Sequence, residues 1–212
     1  TVVDTSGYKR LKNISVMRLS NDGMSVTGNR IKILSDCLGV SGGWTPAVHL
    51  FTQSGGKLSF DEENKVFLPN KYPSEQISIG SCNGDFEISE IIKNLSKNLK
   101  EFLKIEQTDF DNISVDSDYE RSKRNIWLLP SDKPVGKTKP FVDYQNDATA
   151  KDIKLALREG FRSIEHVKRY TTTGMGTDQG KLGNMHALGI IADTAGVKMG
   201  ELGTTTFRPP YT

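Results

Sequence analysis

Tyr170-Thr171-Thr172-Thr173-Gly174-Met175-Gly176-Thr177-Asp178-Gln179-Gly180-Lys181 lies between two helix-like segments. It holds three consecutive threonines, three glycines and a lysine. Glycine lets the backbone take positive φ and approach a ligand closely. Backbone N–H groups that lead into a helix form a natural anion site. On spacing alone two readings stay open: an anion-binding loop, or a glycine-punctuated connection between two helices.

The flanks are helical. Thr149-Ala-Lys-Asp152 has the form of a capping box in front of Ile153, Ala156, Leu157 and Phe161. Gly160 ends that helix, and Ser163-Ile-Glu-His166 opens a shorter one carrying Val167 and Lys168. After the loop, Met185 to Ala195 is apolar nearly all round, which predicts a helix buried on most faces, and Gly196 stops it.

Residues 1–84 read as β-rich. Ile14 to Leu19 alternates apolar and polar, Asn21-Asp22-Gly23 turns, and Met24-Ser-Val26 resumes, which is a hairpin signal. Arg30 to Leu34, Leu38 to Val40, Lys65 to Leu68 and Gln76 to Ile79 are further predicted strands. Gly80-Ser81-Cys82-Asn83-Gly84 then turns into an amphipathic helix with Ile88, Ile91, Ile92, Leu95, Leu99, Phe102 and Leu103 on one face. Strand, glycine turn, helix is how α/β domains hold a ligand beyond the sheet, although a tight connection explains the same glycines. Residues 105–138 are polar, and only Ile126-Trp127-Leu128-Leu129-Pro130 predicts a strand, docked within an inter-domain linker.

The chain has 212 residues, 35% hydrophobic and 25% charged, with a net charge of +2 from interspersed acids and bases, so no nucleic-acid footprint is expected. Two cysteines, Cys37 and Cys82, form neither a disulfide framework nor a metal-ligand spacing. No apolar run has the length of a membrane span and the opening has no charged n-region, so a cytoplasmic location is expected. The opening Thr1-Val2-Val3-Asp4 and the closing Phe207-Arg208-Pro209-Pro210-Tyr211 both look cut, which predicts a piece of a larger polypeptide. His49, His166 and His186 share no motif, and no nucleophile, acid–base pair or metal set is recognised, so no catalytic residue is assigned.

Longer stretches go further. Arg158 to Val167, Lys168 to Lys181, Phe141 to Asp147, Gly203 to Tyr211, and Val40 to Leu50 with Gln53-Ser-Gly-Gly56 together resemble the alpha subunit of heterotetrameric sarcosine oxidase. The resemblance spans nearly the whole chain and is weakest over residues 105–138. It implies a middle fragment: 1–104 the C-terminal part of an NAD-binding α/β unit of the two-dinucleotide-domain flavoprotein type, 105–138 a linker, 139–198 a small all-α domain, and 199–212 an extended tail leading to an absent folate-binding domain. The all-α part also resembles the bacterioferritin-associated ferredoxin type, whose loop reads Gly-Met-Gly-x-Cys-Gln-Gly-x-x-Cys. Asp178 and Gly183 stand at those two cysteine places, and the earlier cysteine pair falls near Asp143 and Gln145. Thiolates are the usual ligands of such clusters, and with none present no iron–sulfur cluster is expected.

The resemblance implies an oxidoreductase acting on CH–NH donors, which oxidises sarcosine to glycine, passes the methyl carbon to tetrahydrofolate and gives electrons to oxygen, yielding hydrogen peroxide. Beta, gamma and delta subunits are the implied partners. FAD is expected on the beta subunit. FMN is expected where beta meets alpha, facing Lys168, Thr171, Thr172, Thr173, Gly174, Met175 and Gly176. NAD is expected in the full subunit, with Ser81, Asn83 and Phe86 beside its ribose and pyrophosphate. The isolated fragment is expected to be inactive, serving as scaffold, part of an NAD site and one wall of the FMN site. The alternatives are a subunit of a related dye-linked proline or opine dehydrogenase complex, or a non-catalytic interaction module.

Overall fold

The computed structural model describes residues 1–73, 75–106, 110, 113, 115 and 125–211. Its strands are β1 (Val2–Gly7), β2 (Leu11–Leu19), β3 (Val26–Leu34), β4 (Lys57–Asp61), β5 (Val66–Lys71), β6 (Phe141–Asp143) and β7 (Ala148–Thr149). Its helices are α1 (His49–Gln53), α2 (Ile88–Leu103), α3 (Ala150–Arg158), α4 (Ile164–Thr171), α5 (Asn184–Ala195) and α6 (Met199–Leu202). The mixed α/β character is as expected. All pairing among the described residues is antiparallel, in one three-stranded and two two-stranded sheets.

Two compact units form. One comprises Thr1–Gly42 with Arg124–Leu202, the other Gly43–Lys123 with Gly203–Thr212. Each unit thus gathers segments far apart in sequence, rather than one continuous block.

In the first unit β1, β2 and β3 form a meander, with Thr5 opposite Ile14 and Ile14 opposite Ile33. The β2–β3 turn forms where the Asn21-Asp22-Gly23 signal predicts it. Asp22 accepts a hydrogen bond from Met24 N–H at 3.0 Å, and Gly23 takes φ +75°. An ion network fastens this sheet to residues 132–133 of the same unit: Arg30 donates two 2.6 Å bonds to Asp132 and one of 3.1 Å to Asp4, which also pairs with Lys133.

The helical part of this unit begins with a strand ladder. Phe141 pairs with Thr149 and Asp143 with Ala148. This corrects the all-α expectation, because the Asp143–Asn146 turn brings the chain back on itself before the capping box starts α3. That box is complete: Asp152 N–H donates to Thr149 Oγ1, and Thr149 N–H donates to Asp152 at 2.8 Å. The core is Ala150, Ile153, Ala156, Val167, Leu188, Ile190 and Ile191, all nearly inaccessible. Seven of the twelve residues of α5 are buried, so its all-round apolarity reads as packing on several sides.

Three expected strands do not form. Residues 38–40 and 76–79 are irregular without ladder partners, and residues 126–129 bend instead. Trp127 has another role within its unit: its ring lies so close to Gly189 of α5 that a Cβ there would fall 2.1 Å from Trp127 Cγ. The rest of the expected linker falls mainly on residues outside those described.

In the second unit the β4–β5 hairpin and α1 bury Val48, Phe51, Val66 and Phe67. The tail returns to them. Phe207 is buried, meets the rings of His49 and Phe67 at 5.6 and 6.4 Å, and its carbonyl accepts from Thr52 at 2.8 Å and Gln53 at 2.9 Å. No helix among the described residues is long and apolar enough to cross a membrane.

Candidate functional site

The loop after α4 is built from its own hydrogen bonds. Thr171 Oγ1 donates to Val167 O at 2.8 Å and lies 2.7 Å from Thr173 Oγ1, which joins the two hydroxyls. The helix ends at Thr172, which sits in the left-handed region at φ +58° and is exposed. For a β-branched residue this is a strained position, and such strain concentrates where function holds it.

Asp143 is the hub beneath the loop. It is 5% exposed. One carboxylate oxygen accepts from Gln145 N–H (2.9 Å) and Asn146 N–H (3.0 Å), the other from Gly174 N–H at 2.7 Å. Asn146 also donates to Thr172 O at 3.1 Å. Gln145 joins in from the same turn, donating to Thr177 Oγ1 at 2.8 Å and accepting from Asp178 N–H at 3.2 Å. Asp178 folds the far side, accepting from Gly180 N–H at 3.1 Å and Leu182 N–H at 3.3 Å.

The glycines are explained by close approach. A Cβ on Gly174 would fall 2.2 Å from Asn184 Oδ1, one on Gly176 2.1 Å from Gln145 Oε1, and one on Gly180 2.0 Å from Asn184 Oδ1. Asn184, the first residue of α5, therefore fills the space between two loop glycines.

Of the loop residues singled out from sequence, Thr173 and Gly174 are buried, Thr171, Gly176 and Lys168 half-buried, and Thr172 and Met175 exposed. The Gly174 N–H and the Thr171, Thr172 and Thr173 hydroxyls are engaged within the protein, Thr172 by donating to Thr171 O at 2.7 Å. Thr172 and Met175 form the exposed edge of the loop, and Lys168 lies one helical turn before Thr172 on α4. Asp143, Gln145, Asn146 and Asn184 are the residues that the sequence left without a role in shaping the loop. The readable signal was Asp143-Tyr-Gln-Asn146, an Asx-turn pattern.

The second candidate lies in the other unit. Gly80–Asn83 form a short 3-10 turn, closed by Gly84 N–H to Ser81 O at 3.2 Å and Asp85 N–H to Gly80 O at 3.2 Å. Gly84 has φ +91° and no room for a Cβ, which would fall 2.7 Å from Leu68 Cδ2. Ser81 is exposed, and Asn83 and Phe86 are half-buried. Cys82 donates its thiol hydrogen to Ile79 O at 3.1 Å. A cavity of about 290 Å³ in this unit is lined by residues such as Thr52, Gly55, Lys57 and Thr206, and by none of Ser81, Asn83 and Phe86.

His49 opens α1 and packs edge-on against Phe207. His186 is half-buried against the Trp127 ring rather than deeply buried, and His166 is exposed on α4. Among the described residues no group of His, Cys, Asp and Glu is arranged to hold a metal ion.

Comparison with known proteins gives the fold first. The fold matches the structure titled "Crystal structure of L-proline dehydrogenase from P.horikoshii", with a TM-score of 0.61, over 99% of this chain and 42% of that one. At 18% identity this likeness carries the fold alone. By sequence, residues 137–212 match the sarcosine oxidase A3 domain, and the chain is similar to sarcosine oxidase alpha subunits along nearly its whole length. It is 36% identical over 217 residues to the sarcosine oxidase alpha subunit of Rhizobium meliloti (strain 1021), covering 97% of this chain and 20% of that protein. The alpha subunit of Corynebacterium sp. (strain P-1) is 34% identical over 223 residues, covering 100% of this chain and 22% of that one. An opine oxidase subunit of Rhizobium meliloti (strain 1021) is 36% identical over 64 residues, 30% of this chain and 14% of that protein. The chain spans about a fifth of the length of the sarcosine oxidase subunits it matches.

Proposed function

We propose that this chain is a middle segment of the alpha subunit of a multi-subunit flavoenzyme that oxidises sarcosine. The observation that carries the reading is the alignment with sarcosine oxidase alpha subunits over 97% of the chain. The whole enzyme would demethylate sarcosine to glycine, hand the methyl carbon to tetrahydrofolate and reduce oxygen to hydrogen peroxide. None of those steps falls to a residue of this segment. It serves as scaffold, and its part in the chemistry is to shape two cofactor surfaces.

At the loop, the residues fit an FMN contact through the rim alone. Lys168 supplies a positive charge, and Thr172 an exposed hydroxyl that donates to Thr171 O at 2.7 Å and so meets a ligand as an acceptor. Thr171, Thr173 and Gly174 keep the rim in place, since their polar groups already serve the protein. FMN, when bound, supplies the electron transfer. In the other unit Ser81, Asn83 and Phe86 are proposed to line an NAD site, and FAD is assigned to the beta subunit. No iron–sulfur cluster is proposed, because Asp143, Gln145 and Asp178 are committed to the hydrogen bonds that fold the loop.

A second reading is a subunit of a proline- or opine-oxidising complex. It draws on the relationship to an opine oxidase and on the fold shared with an L-proline dehydrogenase. Flavin content separates both from a module that only binds protein. The test is FMN, FAD and NAD content of the complete complex, wild type against Lys168→Met and Thr172→Val. Loss of FMN with FAD retained supports the loop assignment, and unchanged FMN in both variants rejects it. Turnover with sarcosine against proline and opines chooses between the two enzymes.

A further inference from the structure

The second unit holds a cavity of about 290 Å³ where the α1–β4 connection, at Gly55, Gly56 and Lys57, meets the tail, at Thr204, Thr205 and Thr206. It shares no residue with the Thr/Gly loop or the Gly80–Gly84 turn. Its walls are fixed. Thr52 and Gln53 hold Phe207 O at 2.8 and 2.9 Å, and Phe207 is buried, so the residues just before it are pinned beside α1. Gly55 takes φ +93°, and a Cβ on Gly56 would fall 2.4 Å from Phe51 Cζ, so both positions demand bare backbone. Among the described residues that line the cavity, none is acidic.

We propose that this cavity binds a small phosphate ester, held by the Lys57 ammonium and the Thr206 hydroxyl. The site is independent of the FMN and NAD readings. The groups left over select the charge. Gly55 N–H and Gly56 N–H are bonded to Thr52 O and Phe51 O, both at 3.1 Å, and Thr52 and Thr204 turn their hydroxyls to backbone carbonyls. Lys57 and Thr206 are both exposed, and among the described residues their side chains enter no ion pair or hydrogen bond. One unengaged ammonium and one unengaged hydroxyl, with no carboxylate in the lining, favour an anion. Lysine meets phosphate as a point charge, whereas a carboxylate is better matched by the planar fork of arginine, and no arginine lines the cavity. The volume lies at the lower edge of small-molecule pockets, about 300–1,000 Å³, which suits a phosphate with a short carbon skeleton. Half-buried Leu58 offers apolar surface to that skeleton.

The test uses the complete subunit in its complex, with NAD, FAD and FMN in excess so that nucleotide sites are filled. It is titrated with glycerol 3-phosphate and, as a neutral control, with glycerol, by calorimetry and phosphorus NMR line width. Saturable binding of glycerol 3-phosphate is expected, with glycerol far weaker. Lys57→Met should lower the affinity about ten-fold or more, and Thr206→Val by less, because the charged partner contributes the larger share. Lys57→Arg keeps the charge and should retain most of the binding. Both side chains are exposed, so thermal midpoints should stay at the wild-type value. Should Lys57→Met lower the midpoint, the loss of affinity in Thr206→Val decides instead. A wild type that binds no glycerol 3-phosphate overturns the proposal. Equal affinity in wild type, Lys57→Met and Thr206→Val also overturns it, since the phosphate then sits elsewhere. Glycerol bound as tightly as its phosphate overturns it too, because the ammonium then recognises nothing.

Discussion

Replacing Asp143 by asparagine probes the loop at its hub. Asparagine retains one carbonyl oxygen, enough for Gln145 N–H and Asn146 N–H, which share Oδ1 in the native turn. The other position becomes an NH₂ group facing Gly174 N–H, which loses its 2.7 Å acceptor and meets a donor instead. Flipping the amide rescues Gly174 only by abandoning the turn. A hydrogen bond to a charged acceptor contributes about 1.5–3 kcal/mol, and this donor is buried. At about 1.4 kcal/mol per factor of ten, amide exchange across residues 172–182 should speed up about ten- to a hundred-fold. Hydrogen-exchange mass spectrometry on the complete subunit reads this, with α3 as internal control. The rise should be confined to the loop and the 143–146 turn. Unchanged protection there would refute the hub, and equal loss in α3 would mean that Asp143 supports the whole unit instead.

Thr172→Gly removes the penalty of a β-branched side chain at φ +58° and should stabilise the unit by about 1 kcal/mol, while lowering FMN retention if the strained hydroxyl contacts the flavin; thermal melts and flavin content measure the two effects. Gly189→Ala gains about 1 kcal/mol of helix propensity but drives a methyl into the Trp127 ring, so overpacking should win by about 1–2 kcal/mol, read from urea midpoints. Acid should weaken the ion network. Arg30 and Lys133 hold the Asp132 and Asp4 carboxyls below the usual aspartate value of 3.8. Because both folded values are depressed, their contribution is complete above about pH 5 and is lost as pH falls through about 4 and below. Denaturant midpoints across that range should fall less steeply in Asp132→Asn than in wild type.

Local rules made much of the fold legible. The hairpin at Asn21-Asp22-Gly23, the Thr149–Asp152 capping box, and the helices around the loop each follow from a few adjacent residues with one low-energy answer. The failures came where distant residues decide. Ile126–Leu129 has strand composition, yet Trp127 turns to pack on Gly189, sixty-two residues later in sequence. Gln76–Ile79 finds no neighbouring strand among the described residues, so its β-propensity is not used there. The loop showed the same limit. Its glycines were readable as close approaches, but what approaches them, Asn184 and Gln145, follows only from the tertiary fold. The cavity shared by Gly55–Lys57 and Thr204–Thr206 has no sequence signature at all.

The most direct measurement is the structure of the complete complex with its nucleotides bound, read at Lys168 and Thr172. The Lys168 ammonium or the Thr172 hydroxyl is expected within about 3.5 Å of an oxygen of FMN. A loop rim packed wholly against protein, with FMN held elsewhere, would contradict the FMN-wall role and leave this segment a scaffold alone.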